Sequence, residues 1–169
     1  MSYRVNPKIK LEKFTTLDFE AYFQLVKNVD VMQMITERAL SIEEAEVEFE
    51  LVLSKNQYDQ ALGNYKILDA QTNHFIGLAK LELDRPDATT AELGYMLLPE
   101  FWGKGIASQV VTFLIEHAKK QSQLKDLIAI IDPVNIPSRK ILINNGFHSQ
   151  EFKDFDGLSG EILSLILQK

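Results

Sequence analysis

The period of apolar and polar positions changes several times along the chain, and each change marks an element. Lys8-Ile9-Lys10-Leu11-Glu12-Lys13 alternates strictly, which predicts a half-exposed strand. From Thr16 the spacing lengthens, and Phe19, Tyr22, Phe23 and Val26 fall on one face of a helix. Asp30 to Ile35 is short and apolar and predicts an irregular or helical connector. Ser41 followed three residues later by Glu44 is a capping-box pattern, and the helix it opens turns Ile42, Ala45, Phe49 and Val52 inward. Strand patterns return at 64–69, 74–83 and 91–97. The turn-rich stretches Asp69-Ala70-Gln71-Thr72-Asn73-His74 and Asp84-Arg85-Pro86-Asp87 separate them. Three strands joined this closely predict antiparallel pairing. His74 reads as an exposed turn residue.

Beyond Pro99 and a turn containing Gly103 and Gly105, the residues Ile106, Val110, Val111, Leu114, Ile115 and Ala118 recur at helical spacing. Leu127-Ile128-Ala129-Ile130-Ile131 is a continuous apolar run, which predicts a central strand covered on both faces. The strand–helix–strand order makes it parallel to 91–97. Asn135-Ile136-Pro137-Ser138 opens a short helix, with proline in its first turn, and Gly146 closes it. Residues 147–152 and 161–167 are the last strands, joined by 153–160. The whole of 1–169 reads as one α+β domain with a mixed central sheet.

Composition narrows the chemistry. With 46% hydrophobic residues the chain can bury a sizeable core. The absence of cysteine excludes disulfides, thiolate nucleophiles and cysteine metal sites. His74, His117 and His148 are far apart, so no metal is expected. A net charge of −6 argues against nucleic acid or an anionic membrane as partner and favours a cationic one. No run reaches transmembrane length and residues 1–7 lack an apolar signal core, so a cytoplasmic protein is expected. The glutamates at 43, 44, 46, 48 and 50 read as a solvated helix face. The functional alternative is an entrance for a cationic acceptor.

The turn at 103–107 carries the clearest candidate chemistry. A helix start exposes unpaired N–H groups at the positive end of its dipole, and glycines there let an anion reach bare amides. A tight turn that needs φ > 0 would use glycine equally well. Lys104 lies between the glycines, but the rest of a P-loop is missing. Ser108 stands where a dinucleotide fold would have a third glycine, and no G-x-S-x-G is present.

The element order, with Gly103-Lys104-Gly105-Ile106-Ala107 and then Asn135-x-x-Ser138 and Gly146-Phe147, resembles the GNAT acyltransferase superfamily over almost the whole chain. Ala91-Glu92-Leu93-Gly94-Tyr95 with Phe101-Trp102-Gly103 is most similar to the branch of Rim-type N-terminal amino acetyltransferases. The sequence departs from the superfamily pattern at Trp102, where Arg or Gln is usual, and at Leu142, where many members have a tyrosine acid.

The resemblance implies a GNAT-like mixed sheet of about seven strands flanked by about four helices. It implies acetyl-CoA as co-substrate, with its pyrophosphate on the amides of Gly103, Lys104, Gly105, Ile106 and Ala107. The pantetheine arm would lie along the backbone of Met96 and Leu97 and meet Asn135. The reaction would be direct attack of a primary amine on the thioester. Glu92 would be the base and Ser138 the donor to the leaving sulfur. Tyr95 would be a core or acceptor-wall residue. The acceptor would be a small molecule or a protein N-terminus, and the protein a monomer or homodimer. A non-catalytic acyl-CoA-binding sensor is the alternative reading.

Overall fold

The protein is seen in a computed structural model that describes residues 2–169. Eight strands form one sheet. They are β1 (Ser2–Asn6), β2 (Ile9–Lys13), β3 (Gly63–Asp69), β4 (Phe75–Leu83), β5 (Thr90–Leu97), β6 (Asp126–Ile131), β7 (His148–Phe155) and β8 (Leu158–Ile166). Their order is β1-β2-β3-β4-β5-β6-β8-β7. Every neighbouring pair is antiparallel except β5–β6, which is parallel, as a strand–helix–strand crossover requires.

Helices α1 (Phe19–Val26), α2 (Val29–Met32) and α3 (Ile42–Asn56) lie between β2 and β3. Helix α4 (Ile106–Lys119) joins β5 to β6, and α5 (Ile136–Asn144) follows β6. Period-2 side-chain alternation gives the sheet two apolar faces, and each has its own core. Leu93 and Leu97 of β5 pack with Val110, Val111 and Leu114 of α4 and with Leu142 of α5. On the other face Leu78, Met96 and Leu98 pack with Tyr22, Leu25, Met32 and Phe49 of α1–α3.

Four details differ from the sequence reading. Ile42, expected to turn inward, is 44% exposed, because it is the first residue of α3 and lies at the open end of the helix. The eighth strand is β1, whose apolar positions are only Tyr3 and Val5. An Asn6 side chain that accepts the Lys8 and Ile9 amides turns β1 onto β2. The last hairpin is tighter than 153–160 implied. Asp156 (φ 52°) and Gly157 (φ 90°) form a two-residue turn, and β7 and β8 run up to it. Strand β6 is not covered on both faces. Leu127 and Ala129 are buried, whereas Ile130 is 36% exposed, because the α1–α3 layer packs over β3 and β4 and stops short of β6.

Candidate active site

The strands β5 and β6 start as a parallel pair and then separate. Their ladder holds Thr90↔Asp126, Ala91↔Leu127 and Glu92↔Ile128, while β5 continues to Leu97. Past Glu92 one edge of β5 therefore faces a gap.

Backbone polarity along that edge follows from the register. Leu98 N–H donates to Ile76 O at 2.9 Å, and a Cβ on Gly77 would fall 2.1 Å from Met96 O. On the opposite edge Thr89 O accepts from Lys125 N–H at 2.8 Å. Gly94 and Met96 thus turn their N–H and C=O toward β4, and Leu93, Tyr95 and Leu97 turn theirs toward the gap. Of the two backbone positions expected to hold a pantetheine arm, Leu97 faces the gap and Met96 does not. The second gap-facing position is Tyr95. The indole Nε1 of Trp102 donates to Leu97 O at 2.9 Å and lays that side chain across the end of the strand.

One 3₁₀ turn (Pro99–Phe101) leads from β5 into the glycine turn. Gly103 (φ 73°) and Gly105 (φ 78°) both occupy left-handed backbone. A Cβ at Gly103 would meet nothing within 4 Å, and one at Gly105 only Gln109 Nε2 at 3.9 Å. Backbone conformation, not crowding, requires these glycines. The conformation also leaves residues 103–105 exposed. Gly105 is the N-cap of α4, so no cap side chain covers the amides of Ile106 and Ala107, and the first turn carries no acidic residue. By contrast α3 is capped by Ser41, α2 by Asn28 and α5 by Asn135. The turn-forming and anion-binding readings thus describe one geometry. Lys104 is an exposed side chain within it.

Helix α5 borders the same gap. Asn135 Oδ1 accepts from Ser138 N–H at 3.3 Å, so any donor it offers a ligand is Nδ2. Arg139 Nε reaches both oxygens of the fully buried Glu161 on β8, at 3.0 and 3.3 Å, and pins the first turn of α5 to the sheet. Ser138 is 8% exposed, and its Oγ lies 2.6 Å from the Tyr95 hydroxyl. Burial pushes the Tyr95 phenol above its ordinary range. Leu142, one turn later, is 1% exposed in the α4-side core and offers no hydroxyl.

Glu92 sits at the last residue pair before the strands separate, but on the α1–α3 face, opposite Tyr95. Its Oε2 pairs with Lys80 Nζ at 3.1 Å. Gly94 makes room for the Lys80 stem: a Cβ there would meet Lys80 Cε at 2.9 Å. The cluster continues through Glu82, which bonds Lys55 Nζ at 3.0 Å and Asn64 Nδ2 at 2.8 Å. Burial would raise the Glu82 pKa, but Lys80, Asn64 and Lys55 outweigh it and hold the carboxyl below its usual range. The structure thus joins Ser138 to Tyr95 across the gap and puts Glu92 on the other side of the sheet. Sequence reasoning did not find the Tyr95–Ser138 pair.

Between α1 and α3 runs a groove of about 560 Å³, lined by Thr16, Phe19, Glu43, Glu46 and Glu50 among others. His74 is an exposed residue between β3 and β4, its ring 5.8 Å from that of Phe101. Among the described residues no cluster of three or more His, Asp or Glu could hold a metal ion, and no helix is long and apolar enough to cross a membrane.

Comparison with known proteins gives this arrangement a context. A family model described as an acetyltransferase (GNAT) domain matches residues 8–148. An uncharacterized N-acetyltransferase, p20, of Bacillus licheniformis is 28% identical over 104 residues. That alignment covers 61% of this chain, and the chain spans 58% of the length of p20. Among solved structures, RimL, a ribosomal L7/L12 alpha-N-protein acetyltransferase in complex with CoA, superposes with a TM-score of 0.81 at 20% identity, covering 99% of this chain and 98% of that one. A spermidine N-acetyltransferase from Vibrio cholerae, in complex with CoA and spermine, superposes with a TM-score of 0.77 at 20% identity, covering 96% and 97%. At these identities the two structures establish the fold.

Proposed function

The chain belongs to the GNAT acetyltransferase family, and from that premise we propose that it moves an acetyl group from acetyl-CoA to a primary amine by direct attack in a ternary complex. The observation that carries this reading is the three-pair β5–β6 ladder, which opens a gap beside an uncapped, glycine-led helix start. An extended pantetheine arm completes the open edge of β5 by pairing with the gap-facing backbone of Tyr95 and Leu97. Its pyrophosphate rests on the amides of Gly103, Lys104, Gly105, Ile106 and Ala107. Asn135 Nδ2 faces the arm while Oδ1 caps α5.

The chemistry has three requirements, and residues on both faces of the sheet supply them. The acceptor ammonium gives up a proton, directly or through water, to the Glu92 carboxylate on the α1–α3 face. The freed amine attacks the thioester carbon, and the carbonyl oxygen takes on negative charge. A gap-facing N–H of β5 that the arm does not use stabilises that charge. The C–S bond then breaks, and the CoA thiolate leaves on the α5 side, where Ser138 donates a hydrogen bond to it; the second proton of the attacking nitrogen, acidic once nitrogen is bonded to carbon, passes through water to that sulfur, leaving a neutral amide and the CoA thiol. The acceptor is a small amine or a protein N-terminus that arrives from the α1–α3 side. The carboxylates of Glu43, Glu46 and Glu50 along that groove favour a positively charged group.

Calorimetry with acetyl-CoA, followed by thiol release with a panel of amines, tests the reading. Saturable binding and amine-dependent release are expected. Gly105→Glu should abolish binding, because it adds a side chain at φ 78° and a negative charge at the anion site. Failure to bind acetyl-CoA, or binding indifferent to Gly105→Glu, would overturn the cofactor site. Binding without transfer to any amine would leave a non-catalytic acyl-CoA sensor.

A further inference from the structure

We propose that Tyr95 is the positioning residue for the leaving-group step: its hydroxyl donates to Ser138 Oγ and aims the serine proton into the β5–β6 gap. This rests on the acetyltransferase reading above and extends it to a residue with no role there beyond its backbone. Tyr95 belongs to the stretch of β5 that β6 does not pair, and its ring packs against the α4-side core. Ser138 lies 43 residues away in the first turn of α5, which Arg139 holds against Glu161. The two hydroxyls meet at 2.6 Å, at the short end of the range for O–H···O bonds.

The direction of the bond follows from the two groups. A phenol is a stronger acid than an alcohol and the better donor, while the alcohol oxygen is the better acceptor. Tyr95 therefore gives its proton to the bond, and Ser138 keeps one free O–H that must point elsewhere. The phenol, pushed up by burial, stays protonated at neutral pH and keeps that donor. Donation into Ser138 also polarises its O–H, which strengthens the next bond in the chain. An isolated serine hydroxyl rotates freely and is a poor acid. Fixed by Tyr95, it becomes an oriented donor for the departing sulfur. No proton need leave Tyr95, because the serine stabilises the thiolate by hydrogen bonding.

Two measurements test the pairing. In turnover, Tyr95→Phe and Ser138→Ala should each lower kcat about tenfold with the KM for acetyl-CoA unchanged, and the double variant should be no slower than the slower single variant, because both remove one donor. Wild-type kcat in Tyr95→Phe, or multiplicative losses in the double variant, would overturn the proposal. The second measurement needs no acceptor. Since the chain has no cysteine, Ser138→Cys carries a single thiol. A hydrogen bond from Tyr95 favours its thiolate, so iodoacetamide should alkylate Ser138→Cys about tenfold faster at pH 7 than the Ser138→Cys/Tyr95→Phe double variant. Equal rates would sink the pairing whatever the turnover results. Acetyl-CoA should protect the thiol. Without protection, the placement of the acyl site beside Ser138 fails, independently of the rate comparison.

Discussion

At the residue scale the proposed site divides between the two sides of one strand. Tyr95 and Glu92 are three residues apart, so their side chains leave β5 on opposite faces, and that much was legible in the period-2 pattern. Two facts were not. The 2.6 Å contact between Tyr95 and Ser138 joins residues whose separation in the chain carries no local signal. Whether Met96 or Leu97 faces the gap depends on the pairing with β4, visible in the Leu98–Ile76 bond and hidden in a single strand's composition. The Glu92 proposal gives a direct prediction. Glu92→Gln keeps size and polarity but cannot take a proton, so kcat should fall by about 10²-fold or more. The dissociation constant for acetyl-CoA should stay within twofold of wild type in calorimetry. A variant with undiminished kcat would remove Glu92 as the base. The substitution also breaks the ion pair with Lys80, so melting the variant beside wild type separates lost chemistry from lost fold.

At the element scale, local signals worked where a side chain closes on its own backbone. Ser41 and Glu44 form the reciprocal capping box that the sequence pattern predicts, and Arg38 adds a bidentate pair to Glu44. Ser41→Ala should destabilise the protein by about 1 kcal/mol in urea unfolding. The Arg38 hydrogen bond, followed by the Ser41 amide, holds the Glu44 carboxyl pKa down at about 2, against an ordinary value of 4.5. A folded-state pKa below the unfolded one adds stability that is full above the unfolded value and is lost as pH falls through the folded one. The stability difference between wild type and Glu44→Gln should therefore be constant above pH 4.5 and shrink between 4.5 and about 2. A difference that grows on acidification would refute the linkage. Asp156-Gly157 carried an equally plain hairpin signal, but the broad polar stretch around it reads as a loop and conceals how far β7 and β8 extend. Glycine inside a strand marks close backbone approach, which composition alone does not reveal. A Cβ at Gly77 would fall 2.1 Å from Met96 O, a backbone atom, whereas at Gly94 it meets only the flexible Lys80 stem. Gly77→Ala should accordingly lower the melting temperature more than Gly94→Ala. The reverse order would show that the β4–β5 pair yields at Gly77.

At the scale of the whole molecule, the fold leaves one strand pair incomplete and surrounds the opening with helix starts. Seven strand pairings close the sheet, and the single parallel one is where it opens. The crossover that makes β5–β6 parallel also delivers the start of α4 to the end of β5, and the turn after β6 delivers α5. This architecture was readable from element order, because a strand–helix–strand unit after an antiparallel meander permits few arrangements. The depth of the opening was not, because it depends on the ladder with β5 stopping at Ile128 while β6 stays paired with β8 on its other edge as far as Ile131. A ligand in that gap contacts β5, α4 and α5 together, so it binds the folded chain and has no comparable partner in the unfolded one. Acetyl-CoA at 100 times its dissociation constant then adds about 2.7 kcal/mol to the folding free energy. For a domain of 169 residues that corresponds to a rise of roughly 5–10 °C in melting temperature. Thermal denaturation over an acetyl-CoA titration reads this shift without any acceptor amine. The same titration on Gly105→Glu should be flat. On Glu92→Gln it should follow the wild-type curve, since Glu92 lies on the opposite face of the sheet from Tyr95 and Ser138. A shift retained in Gly105→Glu, or lost in Glu92→Gln, would mean that the cofactor lies on the α1–α3 face instead of in the β5–β6 gap.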